Sequence, residues 1–208
     1  MSEPPETALI AGAGRRTGAA LARRLTDEGV DVGLLARSRS DTEDLAAELD
    51  GPGGALPVRA DVTDPGTVER AVGRVRERFG PVGALVHNAS APGGSDVESA
   101  TVEDMRATWV VRAGGLLTCV RACLEDLRAT GGTVLVSGTN YATEPVPDQL
   151  EWASAAAATR AVARSLAADE SLRADGVSVT YIALRAAVAP PDSGWSGALS
   201  ADTVADSY

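Results

Sequence analysis

An apolar run, Thr7–Ala11, passes directly into Ala11-Gly12-Ala13-Gly14-Arg15-Arg16-Thr17-Gly18, and an amphipathic stretch follows at once. A short apolar run reads as a buried strand, and the 3.6-residue periodicity after the glycines reads as a helix. Glycines at such a turn let the backbone approach a pyrophosphate, whose charge meets the helix N-terminus. They also suit plain turn geometry. This segment alone leaves both readings open.

The alternation continues along the chain. Apolar runs at 30–36, 56–59, 84–87, 133–137 and 177–183 read as further strands. Amphipathic stretches at 18–28, 40–50, 63–79, 101–128 and 151–173 read as helices between them. Ser40 or Asp41 is expected to cap the second helix, Thr63-Asp64-Pro65 to start the third with a capping side chain and an early proline, and Thr101 with Asp104 to cap the fourth. Gly114-Gly115 marks an expected break in the fourth. Strands alternating with helices predict an α/β fold. Its form is one doubly wound Rossmann-like domain over 1–208, with a mostly parallel sheet of six or more strands covered on both faces. Residues 1–6 and about 186–208 are expected to be irregular, apart from a short helix-like 200–207.

Composition narrows the partners. With 19 basic against 29 acidic residues, nucleic acid and anionic membrane surfaces are disfavoured. No run of about 18 unbroken apolar residues predicts a membrane span. The opening Met-Ser-Glu-Pro-Pro-Glu is the reverse of a basic signal region, so a cytoplasmic protein is expected. Cys119 and Cys123 read as small fillers of a helix face, and with His87 as the only histidine no metal site is expected. The sequence contains no lysine, so no lysine-dependent step can be carried by this chain.

Further motifs fall in order. Asp61-Val62 follows the third strand, and His87-Asn88-Ala89-Ser90 follows the fourth. With the glycine turn, they give the chain a resemblance to the short-chain dehydrogenase/reductase family over nearly its whole length to about residue 185. The family's TGxxxGxG is matched at Gly12 and Gly18, with Arg16 in place of the middle glycine. The resemblance implies a dinucleotide held by Gly12, Arg15, Arg16, Gly18, Arg37, Asp61, Val62 and Asn88. A basic Arg37 beyond the second strand, helped by Arg15, suits the extra phosphate of NADP. Arg16 either swings outward and adds a favourable charge, or fills the space meant for the cofactor.

The resemblance also implies what is lost. The family uses a tyrosine as general acid or base, and a lysine four residues on lowers its pKa from about 10 toward neutrality. A serine and an asparagine complete its tetrad. At the corresponding positions stand Trp152, Ala156, Thr139 and Arg112. Threonine keeps a hydroxyl, but indole N–H only donates and alanine offers nothing. Tyr141, the one tyrosine nearby, has Pro145 where a lysine would be needed, so Thr139 and Tyr141 remain as donors only. After the sixth strand, Leu184-Arg185 or, with an insertion, the segment around Pro190-Pro191 takes the place of the family's Pro-Gly. The family's last helix and strand find no counterpart, which implies a shortened C-terminus.

The expectation is therefore a degenerate family member. It would serve as a non-catalytic subunit, in a homo- or hetero-oligomer, of an NADP-dependent hydroxyacyl/ketoacyl oxidoreductase complex whose other subunit is competent. Mixed complexes of this kind occur in the family, including those of antibiotic biosynthesis. The long helices around 112–128 and 151–173 are the expected contact, with Ala153, Ala155, Ala156, Ala157, Ala158, Ala161 and Ala163 allowing close approach. One alternative is a non-redox enzyme (cyclase, dehydratase or isomerase) in which Arg16, Arg112 and Arg185 grip an anion, with Thr139, Tyr141 and His87 as donors. A second alternative is an NADP-binding regulator.

Overall fold

A computed structural model describes residues 5–144, 146–186, 188, 198–206 and 208. Six strands, β1 (Thr7–Ala11), β2 (Asp31–Ala36), β3 (Ala55–Arg59), β4 (Ala84–His87), β5 (Thr133–Thr139) and β6 (Ser178–Leu184), form one sheet in the order β3-β2-β1-β4-β5-β6. Every pairing is parallel. Helices α1 (Thr17–Asp27), α2 (Arg39–Glu48), α3 (Pro65–Phe79), α4 (Val102–Trp109), α5 (Gly115–Thr130), α6 (Leu150–Ala168), α7 (Glu170–Ala174) and α8 (Ala201–Ala205) make the connections and cover the faces.

The central strands are buried on both faces, which is why β1 and β4 are apolar apart from Thr7 and His87. Side chains alternate across the pleat. Leu9 and Leu85 enter one core with Val72, Leu116, Cys119 and Cys123, while Ile10 and Val86 enter another with Ala19, Leu21 and Leu34. The cysteines are buried and unpaired core residues, as expected. Burial pushes the Cys119 thiol up to about 12, so it stays protonated.

Local chemistry explains most boundaries. Asp64 caps α3 by accepting from Gly66 and Thr67 N–H, with Pro65 at the first position. Thr101 caps α4 through Asp104 N–H at 3.1 Å. The α2 cap is Ser38 rather than Ser40 or Asp41. Its Oγ accepts from Asp41 N–H, and its extended backbone begins the helix two residues early. The expected break at Gly114-Gly115 is a π-helical turn, Val110–Gly114, that joins α4 to α5 without ending the helix. The stretch 151–173 divides at Asp169, which leaves helical geometry to cap α7 through Leu172 N–H at 3.0 Å.

Near the C-terminus the described residues include the expected short helix, α8. Val188 pairs with Leu199, and α8 packs on α1, where Arg24 meets Asp206 at 3.3 Å. The alternative match at Pro190-Pro191, and Pro145 after Tyr141, lie outside the described residues. Among the described residues, one helical stretch, Val102–Thr130, is long and apolar enough by length and composition to cross a membrane. Here it supplies Leu116, Cys119, Val120 and Leu127 to the core beneath the sheet.

Candidate functional site

Between β1 and β4 the strand order reverses, and loops leaving the carboxyl ends there diverge into a crevice. A cleft of about 660 Å³ occupies that place. It is lined at one end by the glycine turn, Arg37 and Asp61, and at the other by Arg112, Thr139, Tyr141, Trp152 and Leu184.

At the first end the backbone is committed to a close approach. Gly12 has φ +95°, and a Cβ there would stand 2.6 Å from Ala89 N. A Cβ at Gly18 would lie 2.5 Å from the Gly12 carbonyl oxygen, whereas one at Gly14 would meet nothing within 4 Å. Asn88 Nδ2 donates to the Gly12 carbonyl at 2.9 Å, tying the turn to the end of β4. Arg16 is exposed, and its Nη1 reaches the Val188 carbonyl at 3.4 Å. Arg16 and Val188 both line the cleft, so this contact lies at its mouth.

Asp61 closes this end from below. Burial alone would raise its carboxyl, but the Thr63 N–H and hydroxyl, with the nearby Arg37 charge, outweigh that and hold it below the ordinary value. Val62 is buried; its side chain would meet any Cβ at Gly115 at 2.8 Å, so it fixes α5 against the cleft floor. Arg37 is exposed at the rim, with no ion-pair partner among the described residues. Arg15 differs, being drawn to Asp41 at 3.3 Å and Asp44 at 3.8 Å.

The second end is packed around two large side chains. Arg112, carried by the π-helical turn, is 4% exposed. Its guanidinium carbon lies 4.5 Å from the Trp152 ring centroid, and its Nη1 donates to Ser90 Oγ at 2.8 Å. Its Nε is buried with no hydrogen-bond partner. Trp152 donates from Nε1 to the Ala91 carbonyl at 2.9 Å and meets the Tyr141 ring edge-on at 5.9 Å. Ala156, one helical turn on, is fully buried and does not reach the cleft.

The remaining donors are largely engaged. The Thr139 hydroxyl accepts from Tyr141 N–H at 3.4 Å and donates to Asn140 Oδ1 at 3.3 Å, capping the short 3-10 turn Asn140–Ala142. His87 is buried outside the cleft. Its Nε2–H donates to the Arg112 carbonyl at 3.0 Å, and burial pushes its pKa down to about 4. This removes His87 from the expected donors. Arg16 and Arg185 line the exposed mouth, so the three arginines do not form one buried cluster.

Two contributors carry no distinctive sequence signal. Glu151 is buried, and its Oε2 accepts from Gly94 N–H at 3.2 Å and Ser95 N–H at 2.9 Å. Hydrogen bonding from Ser95, through its hydroxyl and its N–H, then from the backbone of Glu151 itself, lowers the Glu151 pKa to about 2. Thr108 donates to the Pro92 carbonyl at 3.3 Å. With Trp152 and Arg112, these side chains pin the loop after β4 across the cleft. Glu151 reads in sequence as an ordinary first-turn acid, and Ser90 as part of a motif.

A parallel sheet of this order, with a glycine turn at its switch point, defines a Rossmann-type α/β protein with a nucleotide-sized cleft. The chain belongs to the short chain dehydrogenase family, whose profile matches residues 6–190. It is 32% identical over 179 residues to Short-chain reductase protein NovJ of Streptomyces niveus, covering 85% of this chain and 67% of that one. It is 29% identical over 166 residues to Versicolorin reductase stcU of Emericella nidulans, covering 79% of this chain and 63% of that one. Among solved structures, alcohol dehydrogenase from the archaeon Thermococcus sibiricus, complexed with 5-hydroxy-NADP, superposes with a TM-score of 0.86 at 28% identity. That match covers 97% of this chain and 88% of the other. L-Sorbose reductase from Gluconobacter frateurii, complexed with NADPH and L-sorbose, gives a TM-score of 0.84 at 25% identity, covering 92% and 73%.

Proposed function

We propose that this chain is a dinucleotide-holding subunit without acid–base machinery of its own. It would work beside a competent short-chain dehydrogenase in an NADP-dependent hydroxyacyl/ketoacyl oxidoreductase complex of secondary metabolism. The observation that carries the reading is the contrast between the two ends of one cleft. The glycine-turn end is braced by Asn88, while the opposite end presents an indole and a guanidinium, with Ala156 buried away from the cleft.

The cofactor end fits a dinucleotide. Gly12 and Gly18 let the turn pack closely on Ala89 and on itself, Gly14 leaves open space beside it, Asn88 braces it, Asp61 and Val62 would flank the adenine side, and Arg37 with Arg15 and Arg16 would supply positive charge for NADP. Bound NADP would supply hydride transfer. What the chain lacks is a group to move the accompanying proton. Against the family tetrad, Arg112, Thr139, Trp152 and Ala156 leave one hydroxyl that already caps a turn, in a protein without lysine. General acid–base catalysis is worth about 10²–10⁴-fold, so self-sufficient turnover by the family route would be reduced at least that much.

The partner half of the reading rests on the surface of α4–α6. Val102 is 84% exposed and Trp109 is 49% exposed; with Met105 they form an apolar stripe on α4 at helical spacing, and Leu117 and Leu150 extend it. Part of the alanine face expected to serve there is used internally. Ala155, Ala156 and Ala163 are buried in the chain's own core, leaving Ala153, Ala157, Ala158 and Ala161 with solvent exposure.

Co-expression with a tetrad-bearing short-chain reductase encoded beside this gene tests the proposal. The expected result is co-elution, ketoacyl-dependent NADPH oxidation by the pair, none by this chain alone, and NADPH binding to this chain by calorimetry. Separate elution with unchanged activity, or turnover by the isolated chain, would overturn it. Binding of NADPH without any pairing would favour the regulator. The non-redox reading has one observation in its favour, the unpaired buried Arg112, whose consequence is independent of the partner.

A further inference from the structure

The acidic side chains of this protein are numerous, and the described arginines Arg15, Arg23, Arg24, Arg39, Arg76 and Arg128 each have one within ion-pair distance. All six are themselves exposed, and only Arg76 pairs with a buried acid, Asp126; the other pairs lie at the surface, where they are worth little. Arg112 is the reverse case. It is the arginine taken out of water, and no carboxylate among the described residues pairs with it. Burial lowers its pKa, yet a guanidinium remains charged at neutral pH. A desolvated cation without a counter-charge is costly, and the ring face of Trp152 offsets only part of that cost.

From this we infer that the Trp152 end of the cleft binds a small organic carboxylate, held by Arg112. The guanidinium lines the cleft, and one of its donors is taken by Ser90. Its Nε is covered by protein, so the ligand meets the Nη end. A planar guanidinium stacked on an indole presents an edge suited to a planar carboxylate. One buried positive charge matches one negative charge, whereas a phosphate dianion would need a second cation at this depth. Arg16 and Arg185 sit at the exposed mouth instead. Val111, Leu184, Tyr141 and Trp152 make the adjoining walls apolar and aromatic, which suits an aryl or acyl body behind the acid group. The site lies at the far end from Gly12 and Gly18, so it does not depend on the partner reading.

Calorimetry and tryptophan fluorescence with benzoate, octanoate, benzamide and inorganic phosphate test this on the full chain. Benzoate or octanoate is expected to bind saturably. Benzamide and phosphate should bind at least about tenfold more weakly, the size of one charge-assisted hydrogen bond. Arg112→Gln should bring the acid down to the level of the amide. Comparing benzoate with benzamide on the unmodified chain keeps the test decisive if the variant fails to fold. No saturation by either acid, equal binding of benzamide or phosphate, or full acid binding by Arg112→Gln would overturn the inference. NADPH titrated in parallel separates the two readings, because its failure to bind would count against the cofactor end alone.

Discussion

The Arg112 guanidinium carbon lies 4.5 Å from the centroid of the Trp152 ring. The two residues come from different elements, a π-helical turn and the first turn of α6, and each also holds the loop after β4, through Ser90 and Ala91. Together they make the end of the cleft opposite the glycine turn a cation–aromatic wall.

A lysine at position 156 would not be tolerated quietly. Ala156 is fully buried between α6 and the core, so Ala156→Lys must displace neighbours and desolvate an ammonium. Urea unfolding should show a loss of about 1–3 kcal/mol from overpacking alone.

The Glu151 carboxylate anchors Gly94 and Ser95, and its pKa falls from 4.5 to about 2 on folding. A depressed acid contributes stability above its unfolded pKa and loses it as pH falls through the folded one. Glu151→Gln should melt lower than the unmodified chain at pH 7, and the gap should close between about pH 4.5 and pH 2.

His87 shifts the same way for a different reason. Burial lowers it from 6.5 to about 4, so the unfolded chain takes up a proton in that window and the folded chain does not. Stability should fall as pH drops from 6.5 toward 4, by on the order of 3 kcal/mol, and His87→Asn should flatten that slope in pH-dependent melts.

The glycines of the turn should separate sharply. Gly12→Ala places a Cβ 2.6 Å from Ala89 N at a positive φ, and should cost about 1–3 kcal/mol and abolish NADPH binding. Gly14→Ala meets open space and should leave the melting temperature nearly unchanged. Paired melts and NADPH titrations check both.

Arg37, unpaired at the rim, should carry cofactor preference more than Arg15, whose charge is shared with Asp41 and Asp44. Arg37→Ala should weaken NADPH by about tenfold or more relative to NADH, and Arg15→Ala by less, in side-by-side calorimetry.

Much of the fold was legible because its signals are local. The apolar runs, the helix start at Thr63-Asp64-Pro65 and the glycine turn each act within a few residues, and the parallel sheet follows from the strand–helix alternation. Ser38 escaped notice because three hydroxyl or acidic residues compete within four positions, and only backbone geometry chooses among them. The π-helical turn escaped because glycines signal a weakness in a helix but not how it is accommodated.

The site divided along the same line. From the sequence alone came the class of chain, the glycine turn after β1 and the absence of any lysine, since these depend on residue identity and short spacings. Only the tertiary structure decided that Arg16 reaches the Val188 carbonyl at the cleft mouth, that His87 is sealed away and that Arg112 is buried against Trp152 without an acid. Burial and side-chain direction are set by residues tens of positions away, such as Ser90 beneath Arg112 and Ala91 beneath Trp152, brought into reach by the sheet.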